Sequence, residues 1–165
     1  LPISKVAWLL GSDPAVRRLA EAGDLAVGTV DTWLLYRLTG GRSHMTDRSN
    51  GSRTQLMGLR SLEWDPDLVR ALGVPASCLP ELRPSEADFG VTDPAMCGAS
   101  IRVTGIVADQ QASLYGHGCE DRGDLKVTFG TSGVACRNTG ADAPLHPGLV
   151  TSVAWQDAEI GRAHV

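Results

Sequence analysis

The sequence has no surplus of positive charge: 15 lysines and arginines stand against 19 aspartates and glutamates, a net charge of −4. That balance argues against non-specific binding to nucleic acid or to an anionic membrane, both of which need a basic surface. A long apolar run is also missing. The longest late stretch without Asp, Glu, Lys or Arg, Ala143 to Gln156, is too short to span a bilayer and contains Pro144, His146 and Pro147. No transmembrane helix is expected. There is no Gly-x-x-x-x-Gly-Lys-Ser/Thr loop, which excludes a Walker-type nucleotide site, and no Gly-x-Gly-x-x-Gly following a strand, since Gly116-His117-Gly118 lacks the third glycine. Cys78, Cys97, Cys119 and Cys136 form no Cys-x-x-Cys pair and have no histidine at ligand spacing. Zinc is therefore not expected, and scattered thiols fit a reduced cytosol better than a disulfide framework. His44, His117, His146 and His164 fall in no ligand or triad spacing and read as surface or loop residues.

What remains is an ordinary globular composition, 42% hydrophobic and 21% charged over 165 residues, which speaks against disorder. The chain opens at Leu1 inside an amphipathic run, without a basic-then-apolar leader, and both ends read as cut from something longer. Glu159-Ile160-Gly161-Arg162-Ala163-His164-Val165 resembles translated sequencing adapter and is set aside from the fold expectation.

Helix punctuation is frequent early on. Ser4 is expected to cap a helix through Leu10, and Asp13-Pro14 to start another that Gly23 stops. The spacing Val30, Trp33, Leu34, Leu38 predicts a helix ending at Gly40-Gly41, and Asp65-Pro66 starts one that Gly73 ends. Arg42 to Leu62 is polar and reads as a surface excursion with short strands. Ile101 to Ala108, rich in β-branched residues, reads as a buried strand feeding a short helix to Gly116. Beyond Gly118 the signals become strand-like, at Leu125–Phe129, Val134–Arg137 and Leu149–Trp155. A hinge or domain boundary is expected between Gly118 and Asp124, giving one unit over 1–118 and the start of a second over 119–158.

Two constellations could carry chemistry. In Ile106-Val107-Ala108-Asp109-Gln110-Gln111 a carboxylate follows an apolar strand directly, where ligands gather in α/β proteins. Asp109 there could take a proton from a hydroxyl that the neighbouring amide orients, or it could merely cap the next helix. In Thr128-Phe129-Gly130-Thr131-Ser132-Gly133, glycines bracket hydroxyl residues between two strands. That is either a phosphate-holding hairpin or a plain turn. A carboxylate on one lobe and a phosphate loop on the other, hinged between, is the layout of a phosphotransfer enzyme. Asp31 and Arg53 read as structural ion-pair or capping residues.

Taken together, several blocks resemble the FGGY carbohydrate kinases. They are Lys5-Val6-Ala7-Trp8-Leu9-Leu10, Gly28-Thr29-Val30-Asp31-Thr32-Trp33-Leu34-Leu35, Thr46-Asp47-x-x-Asn50-x-Ser52-Arg53-Thr54, Leu62-x-Trp64-Asp65 and Leu79-Pro80-Glu81-x-Arg83-Pro84-Ser85. Ala108-Asp109-Gln110-Gln111-Ala112, Phe129-Gly130-Thr131 and Asn138-Thr139-Gly140 complete the series in the family's order. The resemblance implies an actin-like, ribonuclease-H-like α/β kinase fold and transfer of the γ-phosphate of ATP, with Mg²⁺, to a small polyol. Glycerol is the leading acceptor, with xylulose, ribulose or a tetritol as alternatives. Outside enzymes, a non-catalytic actin-like interaction module shares the pattern. The resemblance gives Asp109 the role of general base, Gln110 that of a substrate-hydroxyl ligand, and Gly130 and Thr131 contact with the nucleotide phosphates. It further implies a cytoplasmic, homo-oligomeric full-length enzyme whose first phosphate loop and adenosine pocket fall outside this sequence. Ser132-Gly133 departs from the Gly-Cys-Phe usual in members acting on glycerol.

Overall fold

The computed structural model describes residues 2–157 and 161–164. Its helical first part follows the punctuation closely. Helix α1 (Pro2–Ser12) begins ahead of Ser4, which therefore sits inside the helix and does not cap it. In α2 (Pro14–Ala22) the Asp13 carboxylate accepts from the Ala15 and Val16 N–H groups, and Gly23 closes the helix at φ 80°. In α5 (Pro66–Ala71) Asp65 caps in the same way. Ile3, Leu10, Ala20, Leu56, Val69, Val74 and Cys78 form the buried cluster beneath these helices, with Cys78 carried by the 3₁₀ turn Ala76–Cys78. Burying one such aliphatic side chain is worth about 1.5–3 kcal/mol.

Helix α3 (Val30–Leu38) forms where its apolar spacing predicts, but the stripe that marks it faces away from the described core. Val30 is 76% exposed and Trp33 58%, while Thr32 and Leu35 are buried. Gly28 lies against the first turn of this helix so closely that a Cβ there would stand 2.5 Å from Thr32 Cβ.

The stretch Arg42 to Leu62, expected as a surface excursion with short strands, holds a short strand and exposed residues such as Arg42, Arg53, Gln55 and Arg60, but at its centre is a buried polar hub. It contains β1 (Met45–Asp47), paired in parallel with β2 (Glu81–Arg83), and the short helix α4 (Arg48–Ser52). Thr46, Asp47, Ser49 and Ser52 are all buried. Burial is possible because Asp47, fully enclosed, accepts from the Ser49 and Asn50 N–H groups, from Ser49 Oγ and Asn50 Nδ2, and from Ser85 Oγ. Polar character predicts exposure only for groups that lack internal partners.

Ile101–Ala108 is not the buried strand its β-branched residues suggested. It runs as an irregular antiparallel ribbon beside 85–92, bonded at Phe89 N to Val103 O, Val103 N to Gly90 O and Ile106 N to Ser85 O. Ile101 and Val107 remain exposed, and the buried residues of the ribbon are Phe89, Thr92 and Ala108. β-branching suits an edge ribbon as well as a central strand, so it cannot separate the two. Helix α6 (Pro94–Cys97) lies in the loop between the ribbon's arms, capped by Asp93.

After α7 (Asp109–Gly116), residues 117–124 lead into the hairpin β3 (Leu125–Phe129) and β4 (Gly133–Arg137), in the register Leu125↔Arg137 to Phe129↔Gly133. Strand β5 (Val153–Asp157) starts later than expected, since Leu149 and Val150 are exposed loop residues. It then returns to the first part of the chain. Val153 packs with Met57 and Leu62, and Ala154 and Trp155 pack with Leu114. Val153 N–H donates to Ser52 Oγ and Gln156 N–H to Ser85 Oγ. Of the segment set aside as adapter-like, Glu159, Ile160 and Val165 lie outside the described residues, whereas β6 (Gly161–His164) pairs antiparallel with β5. Among the described residues no helix is long and apolar enough to cross a membrane.

Candidate active site

The Ala108 N–H donates to the buried Ser49 Oγ at 2.8 Å, which anchors the end of the ribbon to the polar hub. Ala108, in extended conformation, thereby occupies the cap position of α7 and makes no side-chain cap. Asp109 is consequently the first helical residue, and the alternative of a capping aspartate is not what the structure builds. Its Oδ1 accepts only from the adjoining Gln110 N–H, at 2.7 Å, and the side chain is exposed. A carboxylate that bonds only the N–H next to it keeps its other oxygen available to a ligand.

Asp109 opens onto a cleft of about 990 Å³ whose walls come from both sides of the 117–124 connection. Asn50, Arg53, Asp109 and Gln110 line one side, and Leu125, Val134, Cys136 and Arg137 the other, with Ser152 at the floor. Asp109 is the one carboxylate among the lining residues, and Arg53 and Arg137 supply cationic heads. Gln110 accepts at Oε1 from the Lys126 ammonium at 3.1 Å. Gln111, buried, donates through Nε2 to Ser152 Oγ and Val153 O, both at 3.2 Å, and so ties α7 to the start of β5. The first turn of α7 is thus split between a pair at the cleft, Asp109 and Gln110, and a structural amide, Gln111.

Gly130 and Thr131 sit at the exposed tip of the β3–β4 hairpin, where Gly130 N–H donates to Ser132 O at 3.2 Å. The hairpin meets the cleft at its base and not at this tip, so the structure does not bring these residues beside Asp109. Asp31 is structural as expected: its Oδ2 accepts from Thr46 Oγ1 at 2.6 Å, although its other oxygen is buried without a partner. Arg53 is structural through its backbone: it holds the C-cap position of α4, its N–H donating to Asn50 O at 3.0 Å. Its side chain enters no ion pair among the described residues and lines the cleft. Sequence reasoning missed Asn50 as a lining residue; the available signal was Asp47, whose capping starts a turn that sets positions 50 and 53 on one face. A second cavity of about 480 Å³ lies between α1 and the Val27–Thr29 segment, but its walls are mainly apolar and Lys5 is its sole charged residue, so the chemistry points elsewhere. His44 Nε2 contacts Val27 O and His117 Nδ1 contacts Ser113 O, away from the cleft, whereas His146, in a loop as expected, is one of the cleft's lining residues. All four cysteines are free thiols.

The cleft carries one acid and two cations, and comparison with known proteins places the chain in a family. The model of the N-terminal domain of the FGGY family of carbohydrate kinases matches residues 1–116, and the chain belongs to that family. Glycerol kinase from Symbiobacterium thermophilum is 48% identical over 153 residues, which cover 92% of this chain and 31% of that protein. The crystal structure of Plasmodium falciparum glycerol kinase with ADP superposes with a TM-score of 0.89 at 30% identity, over 97% of this chain and 33% of that one. Xylulose kinase from Rhodospirillum rubrum shares the fold at a TM-score of 0.78 and 22% identity, over 99% of this chain and 33% of its own. The fold is therefore the actin-like, ribonuclease-H-like one of these kinases, and the chain spans about a third of their length.

Proposed function

We propose that this chain is part of a kinase that phosphorylates glycerol from ATP, with Asp109 as general base. The observation that carries the reading is the Asp109 carboxylate standing free at the first turn of α7, in a cleft shared by both sides of the 117–124 connection. The substrate hydroxyl gives its proton to Asp109 as its oxygen bonds the γ-phosphorus, and the bond from that phosphorus to the β–γ bridging oxygen breaks, leaving ADP. Gln110 holds a polyol hydroxyl, and Arg53 and Arg137 suit an anionic partner in the same cleft. Gly130 and Thr131 act on the nucleotide phosphates in this reading, which requires the hairpin tip to approach the cleft when the enzyme closes.

Magnesium fits as an ion carried in by the nucleotide. Among the described residues no group of three potential ligands exists, and Asp109 is the carboxylate able to meet such an ion. When bound, the ion would neutralise phosphate charge. The boundary between the substrate and nucleotide domains falls between Gly118 and Asp124, and the whole enzyme is a cytoplasmic homo-oligomer; the free thiols suit a reducing compartment. Xylulose is the second reading, favoured by Ser132-Gly133 in the hairpin and by the shared fold of the xylulose kinase.

The test is a chimera in which residues 1–157 replace the matching third of the Symbiobacterium thermophilum enzyme. ATP consumption that depends on glycerol, and not on xylulose, is the expected result. A folded chimera that responds to xylulose alone would move the assignment to pentulose kinases.

A further inference from the structure

Lys126 is an unusual residue for a β-strand that flanks a cleft: it is only 6% exposed, and its ammonium donates to Gln110 Oε1 at 3.1 Å. Burying a lysine costs free energy unless the head group is paired and hydrogen-bonded, and here the partner is a neutral amide on the far side of the 117–124 connection. An ammonium can only donate. The amide atom turned toward it must therefore be the oxygen, which resolves the usual ambiguity in the orientation of a glutamine. The Nε2 group of Gln110 is then the end left for the cleft.

We infer that Lys126 is a positioning residue that fixes the hydrogen-bond polarity of the substrate site. It rests on the proposed polyol kinase reading. With its oxygen held by Lys126, Gln110 presents donors to the polyol, while Asp109 next to it presents an acceptor. A hydroxyl placed between them can satisfy both in one orientation only: its lone pair takes the Gln110 N–H and its proton points at Asp109. The pair thus aims the proton toward the group that receives it. An amide free to flip would offer its oxygen to the same hydroxyl as a second acceptor and loosen the polyol's placement, a loss read in KM. Because Lys126 lies on β3 and Gln110 on α7, the same bond makes the polarity of the site depend on the hairpin being seated.

The experiment uses the chimera carrying residues 1–157, with Lys126→Met, Lys126→Arg, Gln110→Ala and the double variant Lys126→Met/Gln110→Ala. Lys126→Met keeps the stem's volume and removes the donor; it is expected to raise the KM for glycerol roughly tenfold while kcat changes less than about threefold. Lys126→Arg, another donor-only head group, is expected to return KM to within about twofold of the parent. In the Gln110→Ala background, Lys126→Met should have no further effect on KM, because the residue acts through that amide. A KM effect of undiminished size in that background, or no effect in the parent, would overturn the assignment and leave Lys126 a packing residue. Thermal midpoints measured on every variant separate a folding loss from a site effect. An unsubstituted chimera inactive on glycerol would overturn the functional reading and this assignment with it, whereas an active chimera indifferent to Lys126→Met overturns the assignment alone.

Discussion

Ser85 Oγ donates to Asp47 Oδ2 at 2.8 Å and accepts from the Gln156 N–H at 3.2 Å, so a single hydroxyl joins the polar hub to strand β5. Asp47 is fully buried and collects four more donors from Ser49 and Asn50. Removing it deprives α4 of its cap and strands those donors away from water. Asp47→Ala is expected to cost on the order of 3 kcal/mol or more, and Ser85→Ala about 1–2 kcal/mol. Thermal unfolding of the two single variants and the double variant in the kinase chimera measures this. The double loss should fall short of the sum, since both act on one network; strict additivity would show that the hub is not a unit.

The polar hub also explains what the sequence could and could not disclose. Helix ends were legible because their causes are local: Asp13 and Asp65 cap within three residues, and Gly23, Gly40 and Gly73 take positive φ at the stops. The burial of Asp47 was not legible, because one of its partners is 38 residues away in the chain. Likewise Ile101–Ala108 has the composition of a core strand, yet its place at an edge depends on what packs beside it. Within the site, Asp109 and Gln110 stood out as an acid and an amide directly after an apolar run. Arg53 and Lys126 did not, since their relation to that pair exists only once α4 and β3 have been brought against α7.

Gly28 illustrates a constraint of close approach. A side chain there meets Thr32 Cβ, which is fixed to the backbone of α3, and cannot be relieved by a rotamer change. Gly28→Ala is expected to destabilise the chimera by roughly 2 kcal/mol through displacement of the helix. Gly11, with open space around its Cα, is the control, and Gly11→Ala should be neutral or slightly stabilising. Equal midpoints for the two variants in a thermal melt would contradict the packing described.

Among the thiols, Cys78 is buried and Cys97 exposed. Burial pushes the Cys78 thiol above its ordinary range, an effect only partly offset by a hydrogen bond with Ser77. The folded state therefore disfavours the thiolate. Its contribution to stability is complete below the unfolded-state value, about pH 8.5, and is lost as pH rises through the higher folded-state value. A thiol reagent at neutral pH should label Cys97 at once and Cys78 only on unfolding. Cys78→Ala should flatten the alkaline limb of the stability profile, although it costs packing at every pH. Rapid labelling of Cys78 in the folded chimera would show that the cluster around it opens readily.

The role of Asp109 can be separated from any structural one by a substitution that keeps its shape. Ala108 holds the cap position of α7, and the Asp109 carboxylate makes only the bond from the Gln110 N–H. Asparagine retains an oxygen for that bond, so Asp109→Asn should leave the thermal midpoint of the chimera nearly unchanged. It cannot take a proton from an attacking hydroxyl, and kcat should fall by roughly 10² or more, the usual size of a general-base contribution. Glycerol binding should weaken less than turnover, because Gln110 still donates to the polyol and the cationic heads of Arg53 and Arg137 still face the cleft. A loose transition state asks less of a base and would shrink the fall in kcat without removing it. Steady-state kinetics beside a thermal melt decide the matter: unchanged turnover together with a lowered midpoint would make Asp109 a structural residue and move the base elsewhere in the cleft.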